Sequence, residues 1–131
     1  MGISEGIESG LAAHVFTGLP VWAARCAQAL KSVVVPDSVL EVVIFADNDF
    51  SGEGQTAAEV LEARLSAEGK KVTLSIPPML PNAIKGTDWA DILVFINTWP
   101  SQEDEMPPSV GTEFYKQVDE HDGRQHFNDR S

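Results

Sequence analysis

Apolar residues recur at helical spacing in two long segments of the chain. The first segment, 6–17, ends at Gly18, and its apolar positions four residues apart predict a helix that buries them: Ile7, Leu11 and Val15. The second segment, 51–68, ends at Gly69 and predicts another amphipathic helix with this apolar stripe: Ala57, Ala58, Val60, Leu61 and Leu65. A short helix is also predicted over 27–32.

Shorter apolar runs predict strands between these helices. Residues 40–46 are nearly all apolar and rich in β-branched side chains, which is typical of a strand buried on both faces of a parallel sheet. Residues 20–24 predict a second, short buried strand, and 71–76 predict a third. The segment 88–97 fits a helix or a buried strand, and we favour the helix.

The alternation of strands and helices predicts an α/β fold with an open, mostly parallel sheet. A very short strand over 2–4 opens the chain. Sheets of this kind carry their chemistry at the carboxyl ends of the strands. The residues that follow each strand are therefore the first candidates for a functional site.

The acidic composition narrows the classes of function. The chain has 131 residues, the length of one domain, and 43% of them are hydrophobic, enough for a packed core. A net charge of −11 argues against a basic groove that grips phosphates by charge alone, but not against nucleic-acid chemistry through metal ions. No apolar run approaches the roughly 20 residues that span a bilayer, so we expect no membrane partner.

The two ends of the chain allow predictions about cellular location and disorder. The start has neither the basic region nor the apolar stretch of a signal peptide, and Cys26 is the single cysteine. We therefore expect a cytoplasmic protein, with Cys26 as a small buried side chain. Because 101–131 is acidic and poor in apolar residues, we expect a domain over 1–100 and a disordered acidic tail over 101–131, with a short helix around 114–118.

Acidic residues follow three of the predicted strands. They form these groups: Glu5 and Glu8; Asp47 and Asp49; and Asp88 and Asp91. Because the carboxyl ends of parallel strands share one edge of a sheet, we expect the three groups to lie together. Asp47 and Asp49 are two residues apart at a strand end, so their side chains should leave the same face.

Carboxylates at such close spacing point to a cation. Two neighbouring carboxylates repel each other unless a positive charge neutralises them. A hard divalent ion meets this need, and Mg²⁺ favours sites with few carboxylates that are completed by phosphate and water. Asp47 and Asp49 are candidate ligands, and Glu5 is a candidate third ligand or acid/base.

Each acidic group also has a purely structural interpretation. An Asp-x-Asp sequence after a strand is often a turn former or a helix cap. Asp88 and Asp91 suit the cap and first turn of a helix, and Glu8 suits a first turn, where the helix dipole favours acids. The residues alone leave both interpretations open.

Four segments in this order resemble a Toprim domain of the variety found in phage- and plasmid-type DNA primases and primase-helicases. They are EGIESGLA at 5–12, GLPVWAA at 18–24, VVIFADND at 42–49 and KGTDWADIL at 85–93. Ser51-Gly52 and Ala57-Ala58 extend the third segment. The resemblance covers roughly residues 3–96, and it is the order of the segments that is specific.

The resemblance implies a Rossmann-like sheet of about four parallel strands flanked by helices. It implies that Glu5 is a general acid/base or a metal-ordering carboxylate, and that Asp47 and Asp49 hold Mg²⁺, with Mn²⁺ as an alternative ion. It also implies accessory residues near the same site: Glu8, Lys85, Asp88 and Asp91.

The activity implied is metal-dependent phosphodiester formation on DNA, by nucleotidyl transfer of the DNA primase type in replication. Zinc-binding, core primase and helicase segments are not found in the chain. We therefore expect a catalytic domain that is incomplete alone and works with other primase or helicase domains or subunits. Two alternatives stay open: a non-catalytic metal-binding or interaction module, and phosphodiester hydrolysis of the Toprim nuclease type.

Overall fold

The computed structural model of the protein describes residues 1–98. The predicted acidic tail over 101–131 and its short helix lie outside these residues. The elements follow in this order: β1 (Gly2–Ser4), α1 (Ile7–Thr17), β2 (Val21–Ala23), α2 (Ala27–Lys31), β3 (Glu41–Phe45), β4 (Asn48–Asp49), α3 (Glu53–Ala67), β5 (Lys71–Ser75), β6 (Gly86–Thr87) and α4 (Trp89–Thr98).

Four strands form one parallel sheet in the order β2-β1-β3-β5. This confirms the predicted α/β fold with a parallel sheet flanked by helices. Strand β1 has only three residues, yet it pairs with β2 on one side and β3 on the other, and all three residues are buried. A short strand suffices here because neighbours on both sides satisfy its backbone.

Strand β3 divides the core between the two faces of the sheet. Its side chains Val42 and Ile44 pack with α2 and α3, whereas Val43 and Phe45 pack with α1 and α4. Trp89 of α4 meets the ring of Phe45 edge-on, with the ring centroids 6.2 Å apart. Burial on both faces explains the continuous apolar run in this strand.

Helix α1 has the predicted bounds but buries a different face. Ile7, Leu11 and Val15, which were predicted to face the core, are between 62% and 64% exposed. The side towards the sheet carries mainly small residues instead, together with one aromatic ring: Ser9, Gly10, Ala12, Ala13, Phe16 and Thr17. Small side chains let the helix lie close to the sheet, and that packing overrides the four-residue spacing.

Three further predictions about burial are wrong. Strand β2 lies at the sheet edge, where Trp22 is 47% exposed, because only β1 pairs with it. Val60 of α3 is 44% exposed, while the rest of the predicted stripe is buried. Cys26 is exposed because it caps α2, where its Sγ accepts a hydrogen bond from the backbone N–H of Ala29.

The described part of the chain, residues 1–98, contains four helices. None of its helices combines the length and the apolar character needed to cross a bilayer.

Candidate functional site

The register of the two central strands places the first two candidate carboxylates at one edge of the sheet. Ser4 of β1 pairs with Phe45 of β3. Glu5 follows β1 directly and Asp47 follows β3 after one residue, so both leave the sheet at its carboxyl edge. This is the edge where parallel α/β sheets carry their chemistry.

A second, two-stranded sheet brings the third acidic group to the same place. Strand β4 pairs antiparallel with β6, with Asn48 opposite Thr87 and Asp49 opposite Gly86. A side chain at Gly86, where φ is 142°, would collide with the backbone of Asn48 and Asp49. The sequence did not predict this sheet, because two-residue strands show no periodicity.

The same sheet corrects the relation between Asp47 and Asp49. Strand β3 ends at Phe45, and Asp49 belongs to β4. The two aspartates therefore do not continue one strand, so strand alternation does not relate their side chains, although both border the same cavity. Their carboxylates make contacts with two different helices.

Asp47 is held by α1. The hydroxyl of Ser9, in the first turn of that helix, donates a hydrogen bond to Asp47 Oδ1 at 3.0 Å. Burial raises the pKa of Asp47 to about 6, and the negative charges of Glu5 and Asp88 add to the rise, while the Ser9 hydrogen bond opposes it. Asp47 therefore exchanges a proton near neutral pH.

Asp49 caps helix α3. Its Oδ1 accepts a hydrogen bond from the hydroxyl of Ser51 at 3.0 Å, and its Oδ2 accepts one from the backbone N–H of Gly54 at 3.1 Å. These contacts satisfy part of the exposed backbone at the helix start and place negative charge at the positive end of the dipole. Asp49 therefore helps to hold the start of α3, whose N-cap residue is Gly52.

Glu5 carries an unsatisfied oxygen. Its Oε2 is buried and has no hydrogen-bond partner among residues 1–98. Burial raises the pKa of Glu5, and the charges of Asp49 and Glu53 raise it further, against a backbone N–H from Ala27 that lowers it. A buried carboxylate oxygen without a partner is costly, and a cation would relieve that cost.

Gly54 keeps the space between these acidic residues open. A Cβ atom added to Gly54 would lie 3.0 Å from Asp49 Oδ2, 3.2 Å from the carbonyl oxygen of Asp47 and 3.3 Å from Glu5 Oε2. Three oxygens thus converge on the position that a side chain would fill. Two of them belong to carboxylates and one to the backbone.

Asp88 and Asp91 form a reciprocal cap at the start of α4. The backbone N–H of Asp91 donates to Asp88 Oδ1 at 2.7 Å, and the backbone N–H of Asp88 donates to Asp91 Oδ2 at 2.9 Å. This is the geometry of a capping box. Burial raises the pKa of Asp88, and its charge in turn acts on Asp47.

Two adjoining cavities open over these carboxylates. One, of about 330 Å³, is lined by these residues: Gly6, Ile7, Glu8, Ser9, Arg25, Asp47 and Asp88. The other, of about 240 Å³, is lined by these: Asp47, Asp49, Lys85, Gly86, Thr87, Asp88 and Asp91. Asp47 and Asp88 border both cavities. Each accessory residue predicted from the sequence lines at least one cavity: Glu8, Lys85, Asp88 and Asp91.

The donor set fits a hard divalent cation with few protein ligands. Within residues 1–98, no group of three or more His, Cys, Asp or Glu side chains is arranged so that it could hold a metal ion by itself. The oxygens around Gly54 come from Glu5, Asp49 and the backbone of Asp47. Mg²⁺ accepts oxygen ligands of this kind and takes its remaining ligands from water and substrate phosphates.

Sequence reasoning missed three residues of this site. Ser9 stands inside a segment that had been singled out, but nothing marked its hydroxyl as a partner of Asp47. Gly54 had a usable signal, because glycine in the first turns of a helix is unfavourable unless space is needed. No feature of the sequence distinguishes Arg25 from any other surface cation.

Comparison with known proteins agrees with this arrangement. The family model of the Toprim domain matches residues 1–95, which include the parallel sheet and each candidate carboxylate. No curated protein and no solved structure matches the chain. Toprim domains bind divalent metal ions and act on nucleic acid. Since the matched residues make up most of the chain and fold into the expected sheet, the chain belongs to the Toprim family.

Proposed function

We propose that this domain performs Mg²⁺-dependent phosphodiester chemistry on nucleic acid, by nucleotidyl transfer of the DNA primase type. The observation that carries the proposal is the unpartnered Oε2 of Glu5, which lies with oxygens of Asp47 and Asp49 around the open position at Gly54. We further propose that the domain works together with other primase or helicase domains or subunits.

The proposal gives each of the three carboxylates a role. Asp47 and Asp49 hold Mg²⁺, with Mn²⁺ as an alternative, and Glu5 is a further ligand or the general acid/base. When bound, the ion neutralises phosphate charge and orients the attacking oxygen. A raised pKa makes Glu5 a better proton carrier near neutral pH than an exposed glutamate is.

The supporting residues keep these carboxylates in place. Ser9 fixes one oxygen of Asp47 through a hydrogen bond that leaves the carboxylate charged. The capping box of Asp88 and Asp91 holds the start of α4 beside Asp47. The charges that raise the pKa of Asp47 are the same charges that would attract a cation, so ion binding would release its proton.

Paramagnetic NMR tests the metal site. In a titration of the full chain with Mn²⁺, we expect amide signals of residues 5–8 and 47–54 to broaden first. Asp47→Asn should weaken this broadening, and Asp37→Asn, the same substitution in an exposed turn, should leave it unchanged. Broadening confined to the acidic residues of 101–131 would contradict the proposed site.

A product assay tests the type of chemistry. The full chain is incubated with Mg²⁺, nucleoside triphosphates and a labelled single-stranded DNA. Longer or newly made strands support nucleotidyl transfer, whereas shortened strands favour the nuclease alternative. Glu5→Gln should reduce either product; the Mn²⁺ broadening around residues 47–54 should weaken if Glu5 is a ligand and persist if Glu5 is the general acid/base.

A second candidate function, a non-catalytic module, has one specific observation in its favour. Both carboxylate oxygens of Asp49 already accept hydrogen bonds that stabilise the start of α3. If Asp49 serves only as a cap, Mn²⁺ should broaden no signals at the site. The NMR titration therefore separates an interaction module without a metal site from the proposed function, and the product assay separates a module that binds metal but is not catalytic.

A further inference from the structure

Two of the basic side chains in the described part of the chain line the cavities over the carboxylates. Residues 1–98 contain six basic residues, and three of them are bound within the fold: Arg64, Lys70 and Lys71. Lys31 lies on α2, away from the site. The other two, Arg25 and Lys85, each line one of the two cavities over the carboxylates.

Arg25 stays unpaired beside negative charges. It lines the larger cavity together with Glu8, Asp47 and Asp88. Among residues 1–98, its guanidinium makes no hydrogen bond and no ion pair. A cation that lines the same cavity as three carboxylates without binding any of them keeps its donors available for another anion. The planar fork of arginine suits the paired oxygens of a phosphate group.

The backbone fixes Arg25 in an unusual conformation next to Glu5. Its φ is 88°, in the left-handed region that residues other than glycine rarely adopt. Its N–H donates a hydrogen bond to the carbonyl oxygen of Glu5 at 2.6 Å, which continues the pairing of β2 with β1. Strained residues of this kind concentrate at functional sites.

We propose that Arg25 binds a phosphate group of the substrate. This inference rests on the proposed function for its substrate class, a nucleotide or a nucleic-acid strand. The phosphate occupies the cavity between Arg25 and Asp47, and Lys85 faces the neighbouring part of the same backbone in the second cavity. The substrate then extends from one cavity to the other over Asp47 and Asp88. The positive charge of Arg25 offsets the repulsion between the substrate phosphates and the carboxylates at this edge of the sheet.

Anisotropy of labelled probes measures this contact. The full chain is titrated, in Mg²⁺, against a fluorescent single-stranded oligonucleotide and, separately, against a fluorescent nucleoside triphosphate. Arg25→Ala should weaken binding of at least one probe about tenfold, the usual scale for a charge-assisted hydrogen bond. For the oligonucleotide, the slope of log affinity against log salt should fall by about 0.7, since one phosphate contact is lost.

Three variants serve as controls. Arg25→Gly removes the charge but suits the left-handed backbone, so it keeps the fold and should weaken binding as Arg25→Ala does. Arg25→Lys keeps the charge without the fork and should give an intermediate loss. Lys31→Ala removes one positive charge outside the cavities and should bind as wild type does.

The results for the two probes show which substrate Arg25 contacts, or that it contacts neither. A loss for the triphosphate alone assigns Arg25 to the nucleotide, and a loss for the oligonucleotide alone assigns it to the strand. Wild-type affinity in Arg25→Gly, an equal loss in Lys31→Ala, or a wild-type chain that binds neither probe overturns the role of Arg25. If Mn²⁺ still broadens the site in that case, the proposed metal chemistry stands. If it does not, the proposed function itself fails.

Discussion

The hydroxyl of Ser9 donates a hydrogen bond to Asp47 Oδ1 at 3.0 Å and thereby joins the first turn of α1 to the segment that follows β3. This contact favours the ionised carboxylate. It opposes burial and the charges of Glu5 and Asp88, which together raise the pKa of Asp47 to about 6. The protonation of Asp47 is therefore set by a balance that single substitutions can shift.

Ser9→Ala should raise the pKa of Asp47 above its wild-type value. The substitution removes the one hydrogen bond that stabilises the charged form, and above pH 6 it should cost about 1.5 kcal/mol of unfolding free energy. A carboxyl-carbon NMR titration measures the pKa, and urea denaturation measures the stability. Ser38→Ala, in an exposed turn, is the control that should change neither quantity.

The metal-free protein should lose stability through Asp47 as the pH rises from about 4 to 6. The folded pKa, about 6, lies above the ordinary value of 3.8, so the folded state holds this proton more tightly than the unfolded chain does. The contribution is therefore complete below pH 4 and lost above pH 6. Urea denaturation across this range, compared with Asp47→Asn, isolates it. If the difference between the two proteins grows in favour of wild type as the pH rises, the sign is wrong.

Gly54→Ala should destabilise the domain although alanine normally favours a helix by about 1 kcal/mol. The new methyl group would lie 3.2 Å from the backbone oxygen of Asp47, which has little freedom to move, and 3.0 Å from the carboxylate of Asp49. We expect a net loss of roughly 1–2 kcal/mol and loss of the Mn²⁺ broadening. Gly6→Ala, whose Cβ has nothing within 4 Å, is the matched control. A more stable Gly54→Ala protein that still responds to Mn²⁺ would show that the space has no function.

The two faces of α1 should differ in their sensitivity to substitution. Leu11 is 62% exposed, so Leu11→Gln should change the unfolding free energy by no more than about 0.5 kcal/mol. Phe16 is buried against Trp89, so Phe16→Ala should cost roughly 3 kcal/mol. Thermal or urea denaturation of both variants measures the difference. A large cost at Leu11 and a small one at Phe16 would restore the orientation that the sequence spacing predicted.

The comparison of α1 and β3 shows which features the sequence could predict. In β3, the four consecutive apolar residues 42–45 are all buried, so no choice of face arises, and the prediction of a buried strand was correct. In α1, a stripe of large apolar residues competes with a stripe of small ones. The structure buries the small ones, because close approach of helix to sheet gains more contacts than the larger side chains would. Periodicity cannot rank two such stripes.

Some features of the candidate site could likewise be predicted from the sequence, and others could not. The positions of Glu5 and Asp47 follow from parallel topology, which alternation of elements predicts well. The approach of the third acidic group, Asp88 and Asp91, to Asp49 depends on the pairing of β4 with β6, between segments nearly forty residues apart, and the local sequence does not predict that pairing. The same holds for Arg25, whose role depends on the cavity that surrounds it.

Asp47→Asn should change both the stability of the metal-free protein and its response to Mg²⁺. Without a cation, the charge of Asp47 is opposed by burial and by Glu5 and Asp88, so its removal should stabilise the metal-free protein at pH 7 by roughly 1 kcal/mol. For a domain of this size that corresponds to a rise of about 4 °C in Tm.

Mg²⁺ should stabilise the two proteins to different extents. A ligand that binds only the folded state stabilises it by about 2.7 kcal/mol at a hundred times its Kd, and millimolar Mg²⁺ is needed because few carboxylates hold it. Wild type should therefore gain Tm in Mg²⁺, while Asp47→Asn should gain much less. Melts at fixed ionic strength, with Asp37→Asn as the control, separate this from a purely structural Asp47, whose loss would lower stability and leave no specific response to Mg²⁺. An unchanged wild-type Tm in Mg²⁺ together with a less stable Asp47→Asn protein would therefore exclude the metal site, because repulsion between the carboxylates predicts the reverse of both results.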